Sequence, residues 1–125
     1  MKKIILSSVI AAAAVASISV ANAATAGAVC AGAATAANGT LTVDTTATNE
    51  FTKVAFTPKC SANVHMHYSQ TTTAFGAVAG STKGKNYFGG GTGGGGVKVI
   101  SSCATSGCST TEITVTNAST QRDAS

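Results

Sequence analysis

Two histidines, His65 and His67, stand two residues apart in NVHMHYSQ (63–70), and four cysteines, Cys30, Cys60, Cys103 and Cys108, follow residue 29. Residues i and i+2 of an extended strand project from one face, so both imidazoles could ligate one ion, and imidazole suits copper and zinc. The same geometry sends Met66 to the opposite face, so one strand cannot offer all three. A metal site would need a further ligand from Asp44, Glu50, Glu112 or Asp123, which the sequence does not place. The commoner role of such a pair is the polar face of a half-buried strand. The expectation is therefore no cofactor, with copper or zinc at His65 and His67 as the alternative.

The cysteines also admit two readings. CATSGC (103–108) has a Cys-x4-Cys spacing that could hold zinc. An even cysteine count in a small exported domain reads instead as disulfides. Four cysteines allow three pairings, and sequence alone selects none. The pairing favoured here is Cys30–Cys60 with Cys103–Cys108, in which the chain-entropy model gives about 3.7 kcal/mol for a loop of about thirty residues and about 2.2 for one of about six.

Other chemistry lacks its parts. Serine is abundant without a G-x-S-x-G elbow, only four acidic residues are present, and neither histidine has an orienting partner in view. GGGTGGGG (89–96) is not followed by Lys-Ser/Thr or a helix pattern, and AGSTKGKN (79–86) has Ala and Asn at P-loop positions that demand Gly and Ser/Thr. The chain is not expected to be an enzyme.

The elements that must position these residues begin after a leader. Lys2 and Lys3 precede an uncharged apolar run from Ile4 to Val20, and Ala21-Asn22-Ala23 supplies small residues where a signal peptidase reads. This is the layout of a secretory signal peptide, residues 1–23, cleaved before Ala24, with a bacterial character in its short Lys-Lys start and alanine-rich core. Residues 24–125 then form a single small domain, secreted to the cell surface or periplasm, with no later transmembrane segment. Two of the eight basic residues leave with the leader, so six face four acidic ones. The six are scattered and not interleaved with aromatics, which argues against nucleic acid as a partner.

Along that domain, alanine, glycine and threonine dominate residues 24–40, with almost nothing large to bury, and Asn38-Gly39 is a turn signal. TLTVDTT (40–46) and FTKVAFT (51–57) alternate, with Leu41, Val43, Val54 and Phe56 facing inward, and Pro58 closes the second. In 63–70, Val64, Met66 and Tyr68 share one parity and Asn63, His65, His67 and Ser69 the other. Shorter strands are expected at 74–79, 85–88, 97–101 and 112–116. The Gly-rich stretch 89–96 reads as a flexible loop, and the polar stretch 117–125 as a frayed tail. These features predict an all-β fold, a small disulfide-stapled β-sandwich of immunoglobulin-like or incomplete immunoglobulin-like form.

The run VC…TLTV…FTKVAFTPKCSANVHMHYS, within residues 29–70, resembles the first half of secreted pilin-like domains of the spore-coat-U and fimbrial-subunit type, which assemble by the chaperone–usher route. The resemblance implies an incomplete immunoglobulin-like sandwich, a disulfide joining the first two strands, and polymerisation by donation of an N-terminal strand. The function expected is that of an exported structural or surface-interaction protein, a subunit of an extracellular fibre, pilus or coat. Its partners would be further copies of itself or other cell-surface proteins, and charge-poor, threonine-rich strands favour such edge-to-edge association. The alternative is a periplasmic metal-binding module built on His65-x-His67.

Overall fold

A computed structural model describes residues 25–43, 50–94, 96–104 and 107–124. Five strands form one antiparallel sheet in the order β1 (Thr25–Ala31), β4 (Val64–Gln70), β5 (Phe75–Ser81), β6 (Asn86–Gly91), β7 (Lys98–Ser102). A two-residue pair, β2 (Ala37–Asn38) with β3 (Lys59–Cys60), stands beside it, and helix α1 (Val115–Asp123) packs on the sheet. The fold is mostly β and antiparallel, and no described helix is long and apolar enough to cross a membrane.

Register assigns each side chain to a face, because directly opposed residues of an antiparallel pair share one. Val64, Met66, Tyr68 and Gln70 oppose Ser81, Ala79, Ala77 and Phe75, whereas His65, His67 and Ser69 oppose Gly80, Val78 and Gly76. The alternation expected in 63–70 is present, yet Tyr68, Ser69 and Gln70 are consecutive and all buried. This end of β4 is covered on both sides. On the tyrosine side lies a core of Val29, Cys30, Leu41, Cys60 and Tyr68, with Met66, Phe75 and Val43 against it. Tyr68 stacks on Phe75 at 6.0 Å between ring centroids and donates its hydroxyl to the Thr42 carbonyl at 2.9 Å. A register shift between Ala28 and Cys30 marks a bulge, and it allows the neighbours Val29 and Cys30 both to be buried.

The opposite side carries the second core, Val78, Tyr87, Cys108, Ile113 and Ala118. Here the sheet presents glycine. A Cβ on Gly76 would come within 2.3 Å of the Arg122 nitrogen and 2.4 Å of the Ala118 carbonyl oxygen, and one on Gly91 within 2.2 Å of the Gln121 carbonyl oxygen. The helix backbone thus rests on the sheet backbone. Thr114 caps α1, its hydroxyl accepting from the Asn117 amide at 3.2 Å, and Ser119 and Arg122 each donate to the Ser69 hydroxyl, at 3.0 and 2.8 Å.

Several expectations are corrected by this arrangement. Residues 117–123, read as a frayed tail, belong to α1, and 112–116, read as a strand, turn into it. The polar sequence has no apolar stripe because the contact is made by backbone, Ala118 and polar side chains. Gly89, Gly90 and Gly91 of the expected loop are the last residues of β6, so the connection to β7 begins only at Thr92. The described parts of these segments, 40–43 and 51–57, contribute an isolated bridge, Leu41 to Phe56, in place of paired strands, and residues 44–49 of the expected first strand and its connection lie outside the described residues. Leu41 is buried as expected, but Val54 and Phe56 are 74% and 51% exposed. Asn38-Gly39 makes no hairpin turn: Asn38 pairs with Lys59, and the Gly39 amide donates to the Pro58 carbonyl at 2.8 Å.

The close helix contact generates a prediction. Gly76→Ala should cost about 3 kcal/mol, the upper range for overpacking, because backbone on both sides must move. Gly84→Ala, whose Cβ would meet nothing nearer than 3.4 Å, should stay within about 0.5 kcal/mol. Urea unfolding of both variants checks the contrast.

Candidate functional site

β4 holds the histidine pair between two strands. His65 opposes Ala31 of β1 and Gly80 of β5, and His67 opposes Ala28 and Val78. Both rings therefore lie on the face that α1 covers further along the strand, and both are half-buried. The His65 ring lies over Gly32, where an added Cβ would meet Nε2 at 2.3 Å; Gly32 has φ +72°, so it is glycine for conformation as well as space. Among the described residues, neither His65 Nδ1 nor His67 Nδ1, both buried, has a hydrogen-bond partner. A buried lone pair is tolerated better than a buried N–H without an acceptor, which favours the neutral Nε2–H tautomer. Consistent with this, desolvation first, and the neighbouring His65 second, hold the His67 pKa below its ordinary 6.5.

The carboxylates considered as further ligands are engaged elsewhere. Glu50 is buried on the other side of the sheet, where Thr25 Oγ1 donates to its Oε1 and Gln70 Nε2 donates to its Oε2 at 3.1 Å. Glu112 accepts from the Ser109 hydroxyl at 2.6 Å, the Ser109 amide at 2.9 Å and the Ala104 amide at 3.2 Å. Those bonds, the Ser109 hydroxyl foremost, pull its pKa down to about 2. Asp123 pairs with Arg122 at 2.6 Å, and Asp44 lies outside the described residues. No cluster of three or more His, Cys, Asp or Glu exists among the described residues.

The four cysteines form two disulfides. Cys30 of β1 joins Cys60 of β3 with Cα atoms 5.6 Å apart, and Cys103 joins Cys108 at 5.1 Å. The first ties the edge strand β1 to the arm carrying β2 and β3. The second closes the loop that Glu112 braces and places Cys108 against Gly80. Such bonds belong to oxidising, extracytoplasmic surroundings.

A feature that sequence reasoning missed lies on the tyrosine side of the sheet. Met66, Ala79, Phe88 and Val99 are successive cross-strand partners from β4 to β7, an apolar row across four strands. Phe88 and Val99 are 45% and 54% exposed, and the adjoining Val97 is 79% exposed. The small residues Ala77, Ala79 and Gly90 floor a groove of about 300 Å³ between Met66, Phe88 and Val97. Among the described residues β7 pairs only with β6, so its outer edge continues this open surface. The alternation in NYF, with Tyr87 buried and Phe88 exposed, was the available signal, but it does not say which face lacks a cover.

No protein-family model matches the chain, and no curated protein or solved structure matches it either.

The depressed His67 pKa has a checkable consequence. The unfolded chain binds the proton more readily than the folded one below pH 6.5, so this residue's contribution to stability falls as pH drops through that region and recovers as pH rises. Histidine NMR titration should place His67 below its ordinary value, and His65→Ala should move it back upward.

Proposed function

We propose that the chain is an exported structural subunit that associates with further copies of itself through β7 and the adjoining apolar row. The observation carrying this reading is the continuity of a strand edge, unpaired among the described residues, with exposed Val97, Val99 and Phe88. Surfaces of that kind promote association by strand addition and apolar burial. A second copy fits the edge by charge: antiparallel pairing of two β7 strands about Ile100 sets Lys98 opposite Ser102 of the partner, not opposite another lysine. The Cys30–Cys60 bond tethers β1 to its own domain, which favours the β7 side over N-terminal strand exchange.

The finer fold reading, an incomplete immunoglobulin-like sandwich of the pilin-like kind, belongs to the same proposal; an apolar sheet face open to a further layer supports it. So do secretion and the cleaved leader, supported by the leader pattern and the two disulfides. Sedimentation and light scattering should show concentration-dependent association. Phe88→Lys with Val99→Lys should weaken it at least tenfold without unfolding the chain, because both side chains are largely outside the core. A persistent monomer at high concentration would overturn the proposal.

A metal-binding reading retains one specific support, the two buried Nδ1 atoms without described partners. Calorimetric titration with copper or zinc tests it. On the structural reading the expected outcome is no tight binding, and sub-micromolar binding abolished by His65→Ala and His67→Ala would instead establish the metal module.

A further inference from the structure

Most of the large apolar side chains exposed among the described residues fall in two stretches. Phe51, Val54 and Phe56 belong to the arm carrying β2 and β3, and Phe88, Val97 and Val99 border the groove over β5, β6 and β7. Leu41 and Cys60 of the arm pack on Tyr68, so the tyrosine side of the sheet has a step among the described residues. One half is raised over β1 and β4. The other is low, floored by Ala77, Ala79 and Gly90. Pairing of two β7 edges does not cover the low half. Antiparallel strands are related by a twofold axis normal to the sheet, and opposed residues share a face. Both grooves then lie on one side of the extended sheet, still open. An edge contact of this kind is isologous, so it closes at two copies, and a fibre or coat requires a second contact.

The step is complementary to itself. Half a turn about an axis parallel to the strands reverses the strand order, and it sets the β1–β4 half of one copy over the β6–β7 half of another. The other axis in the sheet plane sets arm against arm and leaves both grooves uncovered. A fully exposed phenylalanine offers about 200 Å², and the six exposed side chains of the arm and the groove together offer roughly 600 Å² per copy. Their mutual burial, roughly 1,200 Å² in all, reaches the lower end of the range for stable specific interfaces. The geometry points to a reciprocal face-to-face contact between two copies, in which Val54 and Phe56 of each enter the groove between Met66, Phe88 and Val97 of the other. This rests on the self-association proposed above, and it adds the segment of the partner copy that fills the groove. Face contacts alternating with edge contacts extend the assembly past a dimer, and no strand is exchanged.

Sedimentation velocity across a concentration series tests the contact. Val54→Ser with Phe56→Ser adds no charge and alters two exposed side chains. It should raise the concentration at which species larger than a dimer form by about tenfold or more, because each face contact loses both side chains twice. The edge-paired dimer should remain. An unshifted concentration, or a parent protein that stops at the dimer, overturns the face contact; self-association is then judged on Phe88→Lys with Val99→Lys alone. A parent that stays monomeric overturns both. Should the serine variant not fold, isotope-filtered NOE spectra of the parent, mixed from labelled and unlabelled copies, read the contact directly. The Phe56 ring protons of one copy should lie close to the Ala79 and Val97 methyl groups of another, and absence of those signals where the copies associate overturns the contact.

Discussion

The contact between α1 and the glycine-lined side of the sheet is the constraint on which the remaining structure depends. Gly76 and Gly91 let the helix backbone approach the strands more closely than any side chain would permit. Ala118 is fully buried there, and Ser69 receives hydrogen bonds from Ser119 and Arg122. This packing closes one side over Val78 and Tyr87 with very little large apolar surface. It replaces bulk hydrophobic burial with short-range dispersion and hydrogen bonds, which a chain poor in large side chains can supply.

On the other side of the sheet, the Cys30–Cys60 bond complements that scheme. Among the described residues the arm carrying β2 and β3 has two-residue strands and an isolated bridge in place of a long strand pairing. Covalent attachment to β1 keeps Leu41 over Tyr68 at a small enthalpic demand on side-chain packing. Among the described residues the arm covers the β1–β4 end, and Met66, Phe88 and Val99 remain in reach of a further layer. Partial covering of one face is thus the physical origin of the proposed association surface.

Legibility varied with the range of the determining contact. The strands at 63–70, 74–79, 85–88 and 97–101 could be located within a few residues, because each alternates locally. The parity of His65 and His67 was legible for the same reason, but their half-burial depends on the neighbours Ala28, Gly32 and Val78. Helix α1 was missed because its polar residues show no periodic stripe; Thr114 as a cap and Arg122 in the last turn were the only local signals. Glu50 gave no hint of burial, since Thr25 and Gln70 are 25 and 20 residues away.

What the amino-acid sequence determined unaided was the class of structure: an antiparallel, disulfide-containing β fold behind an apolar leader-like segment. Alternation, turn residues and cysteine number are local or compositional properties, and they survive without knowledge of neighbours. Tertiary structure alone decided which glycines support a helix, which carboxylate is enclosed, and which sheet face stays open. Each of those depends on how closely distant backbones approach, a quantity that no local pattern carries.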